Sequence, residues 1–259
     1  QDLLTIIDLN SGDNAADYSG YGDNVNQIAV CQLLQAWTFQ HLSDAFGAIP
    51  MSQALQGVSN TTPAYDSQAA VYAGLLTLID LALNGMNVSG AGPQGDQVYG
   101  GDMAQWAKFG NSLKLRVAMR MADVPSVAAQ AQAAAEAALS SGSIIAGNED
   151  NALFNYLSGA PNNNPINEDA KTRNDFAASN TMVDYLTSLN DPRMGVYFSP
   201  SVTSGEYAGE AYGLSEENAA LTPDDDVSQR GAAILSGDLA GIYFDAAQTH
   251  FLAAEAAER

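Results

Sequence analysis

Apolar positions in residues 24–46 fall at helical spacing on two sides of one segment: Ile28, Cys31, Phe39, Leu42 and Phe46 form one stripe, and Val30, Leu33 and Trp37 lie opposite. A helix apolar on two sides packs between neighbours. Gly47 and then Pro50 end it in the order expected of a helix C-terminus. Pro63, Asp66 and Gln68 lead into a second run, 66–86, which closes at a Gly/Pro-rich loop, 90–101. Runs 103–122 and 126–141 are separated only by residues 123–125, Val124 and Pro125 among them, so they predict an antiparallel helical hairpin. Beyond residue 142 the period fails. Stretches 147–175 and 199–238 are rich in Asn, Gly, Ser, Pro and Asp, a short helix is predicted over 179–190 between them, and the last segment, 242–259, reads as helix. Loops of that length on a helical scaffold are where a ligand site is sought. The capless start and a final helix still running at Arg259 predict a piece of a longer chain.

Composition narrows the function classes. Lys and Arg total 9 against 30 Asp and Glu, a net charge of −21, so the chain does not neutralise phosphates and is not read as a nucleic-acid binder. An anionic membrane surface repels it as well. A hydrophobic fraction of 46% is enough for a folded core. No uninterrupted apolar run reaches the roughly 18 residues that span a bilayer, and no signal segment opens the chain. Asp outnumbers Glu by 21 to 9 and only 3 Lys are present, a surface that stays hydrated in a salt-rich medium. Cys31 excludes an internal disulfide and reads as a small core residue.

The chemistry-bearing candidates are weak one by one. Residues 90–95, GAGPQG, satisfy G-x-G-x-x-G, but a helix precedes them and Pro93 interrupts, so no dinucleotide site is expected. His41 and His250 lie in apolar helices without metal-ligand spacing, which argues against a zinc site or a catalytic triad. Asp224, Asp225 and Asp226 lack the alternating spacing of a calcium loop and read as a solvated turn. No catalytic residue, metal or cofactor is expected. Run 106–120, WAKFGNSLKLRVAMR, places Trp106, Phe109, Gly110, Leu113 and Val117 on one arc, with Arg120 inside it and Arg116 at its edge. Four of the nine basic residues (Lys108, Lys114, Arg116 and Arg120) sit here, and structural ion pairs are predicted for them.

Several long segments together resemble the SusD/RagB family, in its SusD-like branch, of outer-membrane nutrient-binding lipoproteins of Bacteroidota. They are residues 29–55 (AVCQLLQAWTFQHLSDAFGAIPMSQAL), 62–72, 98–123 (VYGGDMAQWAKFGNSLKLRVAMRMAD), 179–198 and 250–259. The third is similar to a family signature, with Gly110 where Ala is common. The resemblance implies an all-α fold of tetratricopeptide-like helix pairs carrying long irregular ligand-binding loops. It makes 1–259 the central part of one SusD-like domain, with hairpins over about 24–141, a loop-rich region over about 142–241 and the start of a further helical pair at 242–259. It also implies no enzymatic activity: an oligosaccharide, or else a peptide, is captured and passed to a SusC-like TonB-dependent transporter at the cell surface. The outer membrane is reached through a lipid anchor missing from this chain.

Sugar recognition needs flat aromatic faces for C–H surfaces and amides or carboxylates for hydroxyls. Tyr156 with Asn163, Arg173, Asn174 and Asp175 supplies that chemistry in one loop, beside Asn155, Asn162 and Asn164, and Tyr207 and Tyr212 add aromatics in the other. The alternatives are a helical-repeat scaffold for a protein partner and, third, an α/α-barrel glycosidase.

Overall fold

The computed structural model describes residues 1–172 and 175–259, which form two units: Gln1–Leu153 together with Ile242–Arg259, and Phe154–Gly241. The fold is all-α, built on tetratricopeptide-like helix pairs. In the first unit the helices run α1 (Asp2–Ser11), α2 (Ala15–Tyr18), α3 (Asn24–Phe46), α4 (Gln68–Gly85), α5 (Met103–Met121) and α6 (Ala128–Ser140). The second unit holds α7 (Pro165–Ala170), α8 (Asn180–Ser188), α9 (Met194–Tyr197) and α10 (Glu216–Ala219). Strands β1 (Ala152–Phe154) and β2 (Gly241–Phe244) pair where the chain leaves and re-enters the first unit, and α11 (Ala246–Glu258) follows.

Helices α3 and α4 are antiparallel neighbours, tied at both ends. Asn26 Nδ2 donates to Asn87 O (2.9 Å) at one end, and the Tyr72 hydroxyl donates to Asp44 at the other. Helix α5 starts on Asp102, whose carboxylate accepts from Ala104 N and Gln105 N, and α4 starts on Ser67, whose hydroxyl accepts from Ala70 N. The predicted arc of α5 is the core: Trp106, Phe109, Leu113 and Val117 are fully buried among Leu33, Leu75 and Ile79. Each such side chain contributes about 1.5–3 kcal/mol by leaving water. Helix α4 has the length and composition to cross a bilayer, yet Val71, Leu75, Leu76 and Ile79 lie in this core.

Gly110 lies where side chains of α3 and α4 crowd against α5. A Cβ there would lie 2.7 Å from Leu83 Cδ2 and 3.1 Å from Leu33 Cδ2, so the glycine makes room for α3 and α4 against α5. The loop at 90–101 is structural too. Asp96 accepts from Val98 N (2.9 Å), Tyr99 N (3.3 Å), Gly101 N (3.0 Å) and Trp106 Nε1 (2.7 Å), and so fastens the Gly-rich turn to the core tryptophan.

Several expectations are corrected. Residues 242–244 are strand rather than helix, because Ile242, Tyr243 and Phe244 pair with β1 and the helix opens only after its Asp245 cap. Residues 2–11, given no element above, form α1, and its N-cap Gln1 makes no side-chain cap hydrogen bond, in keeping with the capless start. In α3 the Val30 and Leu33 side is buried, whereas Leu42 and Phe46 at the C-terminal end of the other stripe are exposed. Trp37 is half-buried, stacked on Tyr243 (4.7 Å) and donating from Nε1 to Tyr243 O (3.0 Å).

Ion pairs form for three of the four basic residues of α5: Lys108–Asp150 (2.5 Å), Lys114–Asp80 (2.7 Å) and Arg120–Asp44 (3.1 Å). Arg116 departs from that prediction. It is 5% exposed, and two glutamine oxygens hold it, Gln40 Oε1 on Nε (2.9 Å) and Gln248 Oε1 on Nη1 (3.4 Å), with the Phe244 ring 4.6 Å away. Burial lowers its pKa to about 10, and it stays protonated at neutral pH.

Candidate functional site

The unit Phe154–Gly241 carries little apolar core of its own, with Ala178, Val183, Leu186 and Met194 as its buried cluster. Its loops are held by polar contacts. Asn164 caps α7 by accepting from Ile166 N (2.8 Å) and donates to Leu239 O (2.7 Å). Asn163 is 6% exposed, and its amide donates to Asn167 Oδ1 (2.7 Å) and Glu168 Oε2 (2.8 Å). Of these two side chains, read from sequence as ligand chemistry, Asn163 fastens its loop to itself and Asn164 ties that loop to the segment at Leu239. Asn162 is exposed, and its carbonyl accepts from Leu157 N (2.9 Å).

The aromatic residues behave differently. Tyr156 is half-buried, its ring 4.9 Å from Phe154 and alongside Gly241, where a Cβ would stand 3.3 Å from the ring. Tyr207 is 36% exposed and lies over Gly195, whose missing side chain leaves space for the hydroxyl. Tyr212 is 87% exposed. Asp175 is exposed beside Phe176, and Arg173 and Asn174 lie outside the described residues.

A notch of about 230 Å³ opens between the strand-like segment 177–179 and the segment 210–214, with Ala219 closing it. Ser179 and Glu210 pair across it in parallel register. Gly209 permits this approach, since a Cβ there would lie 2.4 Å from the Asn180 backbone. Tyr212 and Glu210 therefore share one concavity; Tyr156 and Tyr207 do not line it.

Sequence reading missed four residues of this unit. Phe176 is 57% exposed with the Arg230 guanidinium 5.3 Å from its ring, and Arg230 also pairs with Asp169 (3.4 Å). Tyr185 is 64% exposed, on the side of α8 away from buried Val183 and Leu186, beside exposed Met182 and Leu189. That segment is apolar on two sides at 100° per residue, so a helical wheel carries the signal for Tyr185. Glu210 has no local pattern to mark it. Among the described residues no group of three or more His, Cys, Asp or Glu is placed to hold a metal ion, the Asp224–Asp226 turn included.

Comparison with known proteins adds the family. Residues 1–259 match the SusD-like family described as "Starch-binding associating with outer membrane". The sequence has no match among curated proteins. Similar solved structures include a "chitin-binding protein" (26% identity, TM-score 0.81, 100% of this chain and 55% of that one). Others are a SusD homologue from Bacteroides uniformis (28% identity, TM-score 0.76, 94% and 50%) and a chitin-binding SusD homologue from Flavobacterium johnsoniae (26% identity, TM-score 0.75, 92% and 50%). The chain spans about half the length of these structures. With the family matched from first residue to last and the helix pairs superposing on its solved members, this chain belongs to the SusD-like family.

Proposed function

We propose that this protein captures an oligosaccharide without turning it over and delivers it to a SusC-like TonB-dependent transporter in the outer membrane, held at the cell surface by a lipid anchor. The observation that carries the reading is Tyr212, 87% exposed and sharing a notch with the Glu210 carboxylate, with Tyr207 and Tyr185 also exposed on the same loop unit. A flat ring in water offers a hydrophobic face to the C–H side of a pyranose, and neighbouring carboxylates and amides accept its hydroxyl protons. Tyr156, Tyr207, Tyr212, Asp175, Arg173 and Asn174 form the proposed contact set, with Asn163 positioning the loop that bears Tyr156. The family description and the chitin-binding relatives support a glycan over a peptide. The net charge of −21 favours a neutral glycan over an acidic one.

Calorimetric titration against neutral tetrasaccharides (malto-, cello- and N-acetylglucosamine series) and a set of peptides tests this. Saturable binding of an oligosaccharide, unchanged in composition after incubation, is the expected result. Binding of peptides alone moves the assignment to peptide capture, and glycan cleavage replaces it with an enzyme.

A further inference from the structure

Phe176 presents to water a ring that core packing does not account for. It is 57% exposed and takes no part in the apolar cluster of Ala178, Val183, Leu186 and Met194, with Tyr197 and Phe198 against it. Yet the ring is fixed. The Arg230 guanidinium lies over it, 5.3 Å from its centroid, which covers one face and leaves the other to solvent. Arg230 is held in turn: its side chain is 16% exposed, its Nη1 reaches Asp169 Oδ2 (3.4 Å), and its backbone bridges Phe198 in antiparallel register. The two residues meet because Ala178 N donates to Ser228 O (2.8 Å), with Phe176 two positions before the one and Arg230 two positions after the other.

Both side chains sit at a cost. A guanidinium withdrawn from water calls for close oxygens, and this one has a single carboxylate oxygen at 3.4 Å and a ring. A phenyl face left in water gains nothing from the hydrophobic effect. The arrangement does supply a flat apolar face that is already ordered before a ligand arrives, which removes part of the ordering cost of binding. Resting on the glycan-capture reading, we propose that Phe176 is a further stacking residue of the ligand surface, taking the C–H face of a pyranose on its open side, and that Arg230 is its positioning residue.

The test uses the tightest-binding neutral tetrasaccharide of the titrations above. Phe176→Leu keeps apolar cover over Arg230 but removes the flat face, and is expected to weaken binding about two- to tenfold at an unchanged melting temperature. Phe176→Trp is expected to keep binding, with an indole emission that shifts on addition of the sugar; Trp37 and Trp106, both in the first unit, give the wild type no such signal. Should Phe176→Leu melt lower than wild type, the emission of Phe176→Trp decides by itself. Arg230→Met is expected to weaken binding through the ring alone, so adding it to Phe176→Leu costs nothing further, whereas an arginine acting only on the fold gives additive losses. Full affinity in Phe176→Leu, or an indole at 176 unmoved by bound sugar, overturns the platform and leaves glycan capture standing. Additive losses in the double variant overturn the positioning role. Failure to bind any oligosaccharide overturns glycan capture and the platform with it.

Discussion

Asp150 illustrates how single residues close this structure. Its side chain is 5% exposed and receives Lys108 Nζ on one oxygen (2.5 Å) and the N–H groups of Ala146 (3.1 Å) and Gly147 (3.4 Å) on the other. Burial alone raises a carboxyl pKa; here the lysine and the two backbone donors outweigh it and hold Asp150 below 3.8. A carboxylate whose folded pKa lies below its unfolded value adds stability above the unfolded value and loses it as pH falls through the folded one. Asp150→Asn should therefore lower the melting temperature at pH 7, and the gap to wild type should narrow as the pH falls through and below the ordinary carboxylate range. A gap that stays constant with pH contradicts the assignment. Arg116 and Asn163 mark what composition hides at this scale. A charged or amide side chain looks the same in sequence whether it faces solvent, a ligand or, as for both of these, the oxygens of its own fold.

At the scale of elements the helices were legible because their signal is redundant. Helix α5 repeats its apolar arc over five turns and opens on Asp102, and α3 was bounded correctly by its apolar spacing and Gly47. Strands of three and four residues carry no such redundancy, and Ile242–Phe244, apolar and contiguous with α11, reads as one more helical turn until its partner strand is known. Gly110 belongs to this scale as well. Its propensity cost of about 1 kcal/mol offsets a crowded crossing, so Gly110→Ala should change stability by no more than about 1 kcal/mol as Leu83 rotates aside. Gly110→Leu, which adds volume beside the fully buried Leu33, should destabilise by about 1–3 kcal/mol in urea unfolding. A neutral Gly110→Leu would remove the close approach from the account.

For the whole molecule, the charge set aside nucleic acid at once, and the structure then located the countercharge. Three of the nine cations pair with acids of the first unit from within α5, leaving most carboxylates of the chain facing water. Self-repulsion of that surface is screened by salt, with a Debye length near 10 Å at 0.1 M and about 3 Å at 1 M. Raising sodium chloride between those concentrations should raise the melting temperature; a fall would mean the ion pairs outweigh the repulsion. The site was only partly legible. Sequence marked the loop-rich region and its tyrosines, but exposure follows from tertiary contacts, and Phe176 and Glu210 became visible only in the fold.

The central claim, that the loop unit 154–241 receives a glycan, is tested most directly by hydrogen–deuterium exchange with and without a saturating concentration of the tightest-binding tetrasaccharide. The account predicts slowed exchange within 154–241, strongest around residues 177–180 and 208–214, with the core of α5 unchanged. Protection confined to 1–153, with 154–241 exchanging as in the free protein, would contradict it.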